Sequence, residues 1–332
     1  MKTKPDNQKF RWVLILMLLF IPLQADAQPG KILRIGTGGR SGVYYPVGKL
    51  IAEGLTRDAG SKKGLETHIA VAQHSAGSID NVQSIINGEI EAALVQADVA
   101  YLAYHSERFF KGKKQFRKLR AVASLYPEKL QIVVRKDASI NGIPDLKRQR
   151  ISLDEQGSGT LAVMRIVLEA HDMTEADLDP VYLKPVYTHE KFIAGDLQGF
   201  TMMGGIPLDA VLELKNIELA IVPVEKEMAG QIHQKYQYLV PGKIPADTYP
   251  GIPETPTIEV NALLLVHSDL DEDLVFQMTS LLWEKNTQKL LREGHPQGKA
   301  INLETALKGV SIPLHKGAKR YYLNQGLMEQ ER

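Results

Sequence analysis

The sequence predicts an α/β protein of two lobes, each built on an open, mainly parallel sheet that helices cover. Three observations support this prediction. Strand-like and helix-like segments alternate between residues 31 and 105 in the order βαβαβα. The alternation starts again after residue 119. The chain has 332 residues, a length that fits two domains.

The first half contains three short apolar segments, each followed by a segment with helical spacing. The pattern predicts strands at 31–35, 66–72 and 92–95. Apolar residues at helical spacing predict helices around 47–55, 79–86 and 99–104. Pro46 suits the first turn of the first helix, and Asn87-Gly88 suits the end of the second.

The second half repeats the alternation over a longer stretch of chain. Strands are predicted at 119–123, 131–135, 151–153, 200–203, 219–224 and 258–266. Helices are predicted around 161–170 and 208–214, and a long one at 269–291 with acidic residues in its first turn, where they favour the helix dipole. Prolines in the segment 241–256 predict a loop.

The first residues have the pattern of a secretory signal peptide. A basic start is followed by an apolar run at 12–23 and by Ala25-Asp26-Ala27, which has small residues at the −3 and −1 positions of a cleavage site. The run is shorter than the roughly 20 residues of an ordinary membrane span, although an uncleaved anchor is an alternative. We therefore expect cleavage after Ala27 and a mature protein exported to a bacterial periplasm.

Composition excludes several classes of function. The net charge is +1, and loss of four basic and two acidic residues with the signal leaves it near −1, which argues against a nucleic-acid partner. There is no cysteine, hence no disulfide framework, thiol chemistry or lipid attachment. The nine histidines show no metal-binding spacing. We expect no cofactor, no metal and no enzymatic activity.

Small residues cluster where predicted strands lead into predicted helices. Three such turns contain glycine, at 36–45, 157–160 and 204–207, and a fourth, at 73–78, contains serines. In open α/β sheets ligands bind beyond the carboxyl ends of the strands. Helix N-termini there offer free N–H groups and the positive end of the helix dipole. Two turns in each half predict one anion held between two lobes.

The first turn does not match the better-known nucleotide-binding motifs. Counting from Gly36 and Gly38, the third glycine of a dinucleotide fingerprint falls on Ser41, and no Gly-Lys-Ser/Thr follows at P-loop spacing. A plain tight turn remains the alternative to a ligand site.

Several short motifs occur in order along the chain. They are Gly36-Thr37-Gly38-Gly39 with Gly42-Val43-Tyr44-Tyr45-Pro46, Gln83-Ser84-Ile85-Ile86-Asn87-Gly88, Gln96-Ala97-Asp98, Leu125-Tyr126-Pro127-Glu128, Asp154-Glu155-Gln156-Gly157-Ser158-Gly159-Thr160, Gly205-Ile206-Pro207 and a tail from Pro313 to Tyr322. Together they resemble the TAXI family, the substrate-binding subunits of one class of TRAP transporters. The resemblance covers nearly the whole mature chain.

This resemblance implies a type II periplasmic binding protein fold, in which two lobes close over a small organic acid like a Venus flytrap. The ligand is a dicarboxylate or an amino acid such as glutamate, and the loaded protein, a monomer, docks on a sodium-coupled permease. The expected domains are a signal peptide (1–27), lobe 1 (28–130), lobe 2 (131–260) and a return to lobe 1 with C-terminal helices (261–332). The chain is expected to cross between lobes near 130–134 and 261–265.

The expected ligand contacts come from the turns and from the family motifs. They are Thr37, Gly38, Gly39, Arg40, Ser41, Tyr44, Tyr45, Ser75, Ser78, Gln96, Tyr126, Ser158, Gly159, Thr160, Gly204, Gly205 and Pro207. Arg40 and Ser41 stand where the family is expected to have small or hydroxyl residues. Arg40 either pairs with a ligand carboxylate or lies at the surface, and Ser158 and Thr160 either bind ligand, cap their helix or do both.

Two rival functions share much of this pattern. A sensor of the same fold presents its ligand to a membrane-bound kinase, and an exported hydrolase uses the glycine turns to hold a phosphoester. The genes next to this one distinguish transport from sensing, and a test for turnover distinguishes either from hydrolysis.

Overall fold

The described part of the chain folds around one ten-stranded sheet. The structure, a computed structural model, describes residues 31–57 and 68–329. The predicted signal peptide and the start of the strand predicted at 66–72 lie outside these residues. The strands are β1 (Lys31–Gly36), β2 (His68–Gln73), β3 (Ala92–Gln96), β4 (Leu119–Arg135), β5 (Arg150–Ser152), β6 (Asp179–Val181), β7 (Gly199–Gly204), β8 (Leu219–Ile221), β9 (Val240–Ile244) and β10 (Thr255–His267).

Ten α-helices of the described chain cover this sheet. They are α1 (Tyr44–Arg57), α2 (Ser78–Ile86), α3 (Ala97–His105), α4 (Gly159–Ala170), α5 (Pro185–Ile193), α6 (Asp209–Leu212), α7 (Lys226–Lys235), α8 (Glu272–Leu282), α9 (Lys285–Gly294) and α10 (Lys316–Asn324). Val47, Ile51 and Leu55 of α1 are buried, as their spacing predicts. No helix among the described residues has the length and apolar content needed to cross a membrane.

The sheet has two groups of parallel strands joined by two long antiparallel strands. Its order is β2-β1-β3-β10-β4-β7-β5-β6, with β8 on β4 and β9 on β10. By the predicted boundaries, strands β1–β3 fall in lobe 1 and strands β5–β9 fall in lobe 2. Along β10, residues 263 and 265 face one core cluster and residue 264 faces the other, so the sheet has an apolar core on each side.

The two long strands pass from one lobe into the other. Residues 119–129 of β4 pair with β10, and residues 129–134 pair with β7. Residues 255–259 of β10 pair with β9, and residues 262–266 pair with β3. The domain boundaries at 130 and 260 stay predictions, because both strands run without interruption through these points.

Several predicted elements differ from the structure. The strands predicted at 119–123 and 131–135 are one strand, β4, and Pro127 is accommodated beside a shift in the β4–β10 register. The helix predicted at 269–291 breaks into α8 and α9 at Glu284, which has an extended backbone. The loop predicted at 241–256 contains part of β9, and the helix predicted at 208–214 is only the four residues of α6.

Candidate functional site

A cleft lies beyond the carboxyl ends of strands from both lobes, at the position that the sheet topology favours. Its inner part, which we call the chamber, is lined by Gly38, Gly39, Gly42, Val43, Tyr44, Ala76, Gly77, Ser78, Gln96, Glu128, Asp154, Glu155, Ser158, Gly159, Thr160, Pro185, Met202 and Met203. Its outer part, the vestibule, is lined by Gly39, Arg40, Ser41, His74, Ser75, Ala76, Glu155, Lys184, Pro185 and Val186. The four residues that border both parts, which we call the throat, are Gly39, Ala76, Glu155 and Pro185.

Most of the expected contact residues lie around this cleft. The chamber brings together Gly38, Gly39, Tyr44, Ser78, Gln96, Ser158, Gly159 and Thr160. The vestibule brings together Arg40, Ser41 and Ser75. These residues come from both lobes, so three of the four grouped turns, at 36–45, 73–78 and 157–160, converge on one cleft.

Three expected residues of lobe 1 do not line the cleft. Thr37 is buried, and its hydroxyl donates to the Gln73 carbonyl at 2.7 Å, which ties β1 to β2. The ring of Tyr45 stacks on that of His74 with centroids 4.1 Å apart. Tyr126 is 1% exposed within β4. These three side chains therefore pack against other parts of the protein and do not line the cleft as expected.

The third glycine turn also lies outside the lining. A Cβ on Gly205 would lie 2.4 Å from Gln297, whose amide donates to the Ile206 carbonyl at 2.5 Å. Gly204 packs near Leu208, and Pro207 follows a cis peptide bond. The turn at 204–207 is therefore held against the C-terminal part of the chain, because a glycine there allows close approach of Gln297.

The N-terminus of α2 is occupied by the protein itself. The backbone N–H groups of Ile79 and Asp80 donate to the Gly157 carbonyl of lobe 2 at 3.1 and 3.3 Å. The Ser75 hydroxyl donates to the Thr37 carbonyl at 2.9 Å and accepts from Gly77 N–H at 3.0 Å. The serine turn thus joins the two lobes directly, in contrast to the expected anion contact at this helix start.

Two other helix starts border the chamber from opposite lobes. Val43 and Tyr44 lie at the start of α1, and Gly159 and Thr160 lie at the start of α4. The Ser158 hydroxyl accepts from Leu161 N–H at 3.2 Å, so it caps α4, and the Thr160 hydroxyl accepts from Met203 N–H at 3.1 Å. Capping of α4 by Ser158 and the bond of Thr160 to β7 therefore account for much of the hydrogen bonding of these two hydroxyls.

Glycines stand where the lobes approach most closely. A Cβ on Gly39 would lie 3.4 Å from Pro185, and one on Gly159 would lie 2.2 Å from the side-chain oxygen of Gln96. With its amide oriented to suit its neighbours, Gln96 donates to the Gly159 carbonyl at 3.2 Å and to Asp98 Oδ1 at 3.3 Å. The absence of a side chain at Gly159 lets Gln96 of lobe 1 bond to the backbone of lobe 2.

Carboxyl groups surround the chamber. Glu128 is 1% exposed, and the Tyr44 hydroxyl donates to its Oε2 at 2.9 Å. Burial raises the pKa of Glu128 well above its usual range, and the charge of Asp98 adds to this effect. Burial also raises the pKa of Asp154 to about 6 and that of Asp98, beneath the chamber, to about 7. No lysine or arginine is among the residues that line the chamber.

The vestibule has the opposite character. Arg40 is exposed, and its Nε donates to His74 Nε2 at 2.7 Å. Since Nε2 is the acceptor, the other ring nitrogen, Nδ1, donates to the Gly38 carbonyl at 3.0 Å. Lys184, exposed as well, lies on the lobe 2 side. Cationic side chains from both lobes therefore flank the opening of the cleft.

The sequence analysis missed several residues of the lining, above all Glu128, Asp154, Glu155, Lys184 and Pro185. Two signals were present. Glu128 is the one acid in strand β4, and Asp154-Glu155 lie between strand β5 and a glycine turn. Asp154 also has φ = 69°, a left-handed conformation that is uncommon for residues other than glycine and frequent at functional sites.

Solved structures of low sequence identity share the fold. A protein of Bordetella bronchiseptica RB50 is 15% identical, with a TM-score of 0.53 over 90% of this chain and 82% of that one. PhnD1 of Prochlorococcus marinus, in complex with methylphosphonate, is 10% identical, with a TM-score of 0.50 over 90% and 99%. The periplasmic aliphatic sulphonate binding protein SsuA of Escherichia coli is 13% identical, with a TM-score of 0.48 over 89% and 83%.

These similarities confirm the predicted fold class, that of the type II periplasmic binding proteins. The sequence itself also matches a known family. The model of the NMT1-like family matches residues 35–326, which is most of the chain. By this match, the protein belongs to the NMT1-like family.

Proposed function

We propose that this protein is an extracytoplasmic solute-binding protein that captures a small organic acid and delivers it to a sodium-coupled TRAP permease. The observation that supports the proposal best is the convergence of two helix starts, those of α1 and α4, on one chamber from opposite lobes. Backbone N–H groups at such positions favour anionic groups. A ligand that contacts both lobes stabilises their closed arrangement over an open one.

The small residues and the charges of the cleft support the proposed ligand class. The chamber is bordered by small residues that allow the backbone to approach a ligand, and the vestibule carries Arg40 and Lys184. An organic acid of the dicarboxylate or acidic amino acid type places its carboxylate against the helix starts and within the field of these cations. Binding and release require no reacting group, so the protein acts without catalysis.

The permease class rests on the motifs that resemble the TAXI family. Twelve of the motif residues line the chamber, among them Gly38, Glu128 and Gly159. In the proposed cycle the mature protein, a monomer in the periplasm, closes on its ligand, and the permease recognises the closed surface. This step is tested by ligand uptake into proteoliposomes that contain the permease encoded by the neighbouring genes. Uptake that needs both this protein and a sodium gradient supports the proposal, and uptake driven by ATP contradicts it.

Ligand capture is tested with the mature chain, beginning at Gln28, in a thermal-shift screen. The compounds are monocarboxylates, dicarboxylates, acidic amino acids and methylphosphonate, the last because PhnD1 of similar fold binds it. We expect a saturable rise in melting temperature with at least one organic acid, since a ligand that binds only the folded state stabilises it. A screen in which no compound raises the melting temperature contradicts the proposal.

A further inference from the structure

Acids line the chamber and cations border the vestibule, and this asymmetry restricts the ligand. Glu128 and Asp154 line the chamber, and Asp98 lies directly beneath it. The cations, Arg40 and Lys184, belong to the vestibule. Burial raises the pKa of each of the three acids, and no lysine or arginine among the lining residues of the chamber favours their ionised forms. A ligand with a positively charged donor group at its inner end turns such an acid into a paired carboxylate, and the attraction is strong in a region of low dielectric.

Glu128 has the geometry of an acceptor for such a group. Its side chain is 1% exposed, and one carboxyl oxygen, Oε2, accepts from the Tyr44 hydroxyl at 2.9 Å. The other oxygen, Oε1, has no hydrogen-bond partner among the residues that the structure describes, although the side chain lines the chamber. An acceptor oxygen that lines the chamber and bonds to no described protein group is available to a ligand donor.

We propose that the chamber binds the ammonium group of an amino-bearing organic acid, with Glu128 Oε1 as its acceptor. The acidic group of the same ligand then faces the starts of α1 and α4 and the cations of the vestibule. This inference rests on the proposed function and narrows it: the ligand is a zwitterion or an amino-dicarboxylate, and plain dicarboxylates, phosphonates and sulfonates bind less tightly than their amino derivatives.

Proton exchange distinguishes an ammonium at Glu128 from an acid at the same place. Burial keeps the pKa of Glu128 high, and the groups that face it are Tyr44, Tyr126 and Asp98, none of them cationic. An ammonium favours the ionised carboxylate, so the carboxyl proton passes to the buffer on binding. A ligand carboxylate favours the protonated form that burial already maintains, so its binding releases no proton from Glu128.

The test compares ligands that differ only in the amino group. Calorimetry on the mature wild-type protein uses three pairs: L-glutamate and glutarate, taurine and ethanesulfonate, and 2-aminoethylphosphonate and ethylphosphonate. We expect at least one amino member to bind tenfold or more tightly than its partner. Measurements in two buffers of different ionisation enthalpy should show proton release for that amino member.

The outcomes separate this inference from the proposed function. If a compound without an amino group binds as tightly as its amino partner, or more tightly, the inference is overturned and the proposed function stays in place. Proton uptake on binding of the amino member overturns the inference too. If no member of any pair binds, the ammonium site and capture of these organic acids both fail.

Glu128→Gln tests the acceptor itself. Glutamine keeps the size of the side chain and still accepts from the Tyr44 hydroxyl, but it carries no charge. We expect the preference for the amino member to fall to within about threefold and proton release to disappear. The matched control is Glu254→Gln, which removes a carboxylate that pairs with Lys243 away from both linings and should keep the preference. A preference retained in Glu128→Gln overturns the assignment.

Tyr44→Phe provides a second variant in case Glu128→Gln does not fold. It removes the hydroxyl that donates to Oε2 and keeps the carboxylate. Because the carboxylate then has fewer protein donors, we expect the amino preference and the proton release to persist. Loss of both in a folded Tyr44→Phe protein contradicts a direct ammonium–Glu128 contact.

Discussion

The chamber and the vestibule share four lining residues, yet their charged side chains lie in different surroundings. Glu128 and Asp98 are almost fully buried, and burial raises the pKa of each. Arg40 and Lys184 are exposed at the opening. Charges interact strongly where water is excluded and weakly where it is present. Substitutions in and beneath the chamber should therefore have large effects, and substitutions in the vestibule small ones.

The largest expected effect is on stability, from Asp98→Asn. The pKa of Asp98 is about 7 in the folded protein against 3.8 ordinarily, so between these values the folded state holds the proton more tightly. Stability is then lost as pH rises through this window. At pH 8 the variant should be more stable than the wild type by up to about 4 kcal/mol, since one pKa unit is about 1.4 kcal/mol.

Urea denaturation of both proteins at pH 8 and at pH 4 checks this prediction. At pH 4 the advantage of the variant should shrink by most of its value at pH 8. An advantage of the same size at both pH values would mean that burial of the Asp98 charge is not its cause.

Gly159→Val should have the next largest effect, on ligand binding. A Cβ at this position would lie 2.2 Å from Gln96, whose side chain is 3% exposed and has little room to move. Overpacking of this kind costs about 1–3 kcal/mol. This cost destabilises the closed arrangement, in which the two lobes are in contact. The affinity for the tightest ligand of the screen should fall by up to about 100-fold, as measured by calorimetry.

Gly38→Ala is the matched control for that variant. A Cβ on Gly38 would be 3.6 Å from the Tyr44 side chain, an ordinary contact, although Gly38 lines the same chamber. The ligand affinity of this variant should stay within about threefold of that of the wild type, a smaller loss than overpacking causes. If both variants lose affinity equally, backbone access matters more than contact between the lobes.

Arg40→Ala should have a smaller effect. Arg40 is exposed and already bonded to His74, so its attraction for a ligand acid is screened by water. A loss of about 1 kcal/mol or less, roughly fivefold, is expected, and Arg40→Lys should restore part of it because the charge remains. A loss of 100-fold would contradict the comparison and identify a desolvated contact between Arg40 and the ligand.

Lys184→Ala should change affinity least, by roughly twofold, the low end for exposed ion pairs. Lys184 stands across the vestibule from Arg40, and its charge also favours the ionised form of Glu155 at the throat. Titrations at about 0.05 and 0.5 M salt check the physical cause, since salt screens exposed charges. The effects of Arg40→Ala and Lys184→Ala should both diminish at high salt, and that of Gly159→Val should not.

The sequence predicted the fold well because the fold depends on local patterns. The alternation of apolar strands and helical spacing from residue 31 to residue 105 gave elements that the structure contains within a few residues. One error occurred in a strand that contributes to the candidate site. Pro127 and Glu128 divided β4 into two predicted strands, since a proline and an acid within an apolar run ordinarily indicate a break.

The site was only partly predictable for a related reason. Glycines before a helix are visible in the sequence, and Gly38 and Gly159 do line the chamber. The effect of burial on Asp98 and Glu128 is not visible, because it arises only when α3 and β4, distant along the chain, pack together. The hydrogen bonds from the first N–H groups of α2 to the Gly157 carbonyl likewise form only because the two lobes are in contact.

That last contact has a consequence for timing. Ile79 and Asp80 hold the Gly157 carbonyl through two hydrogen bonds that involve no cargo. Each such bond is worth about 0.5–1.5 kcal/mol net, so together they favour contact between the lobes by about 1–3 kcal/mol. If both bonds break before the lobes separate, they lengthen the residence time of tightly and weakly bound ligands by the same factor. A partner protein that breaks these two hydrogen bonds to the Gly157 carbonyl therefore shortens the residence time of every ligand.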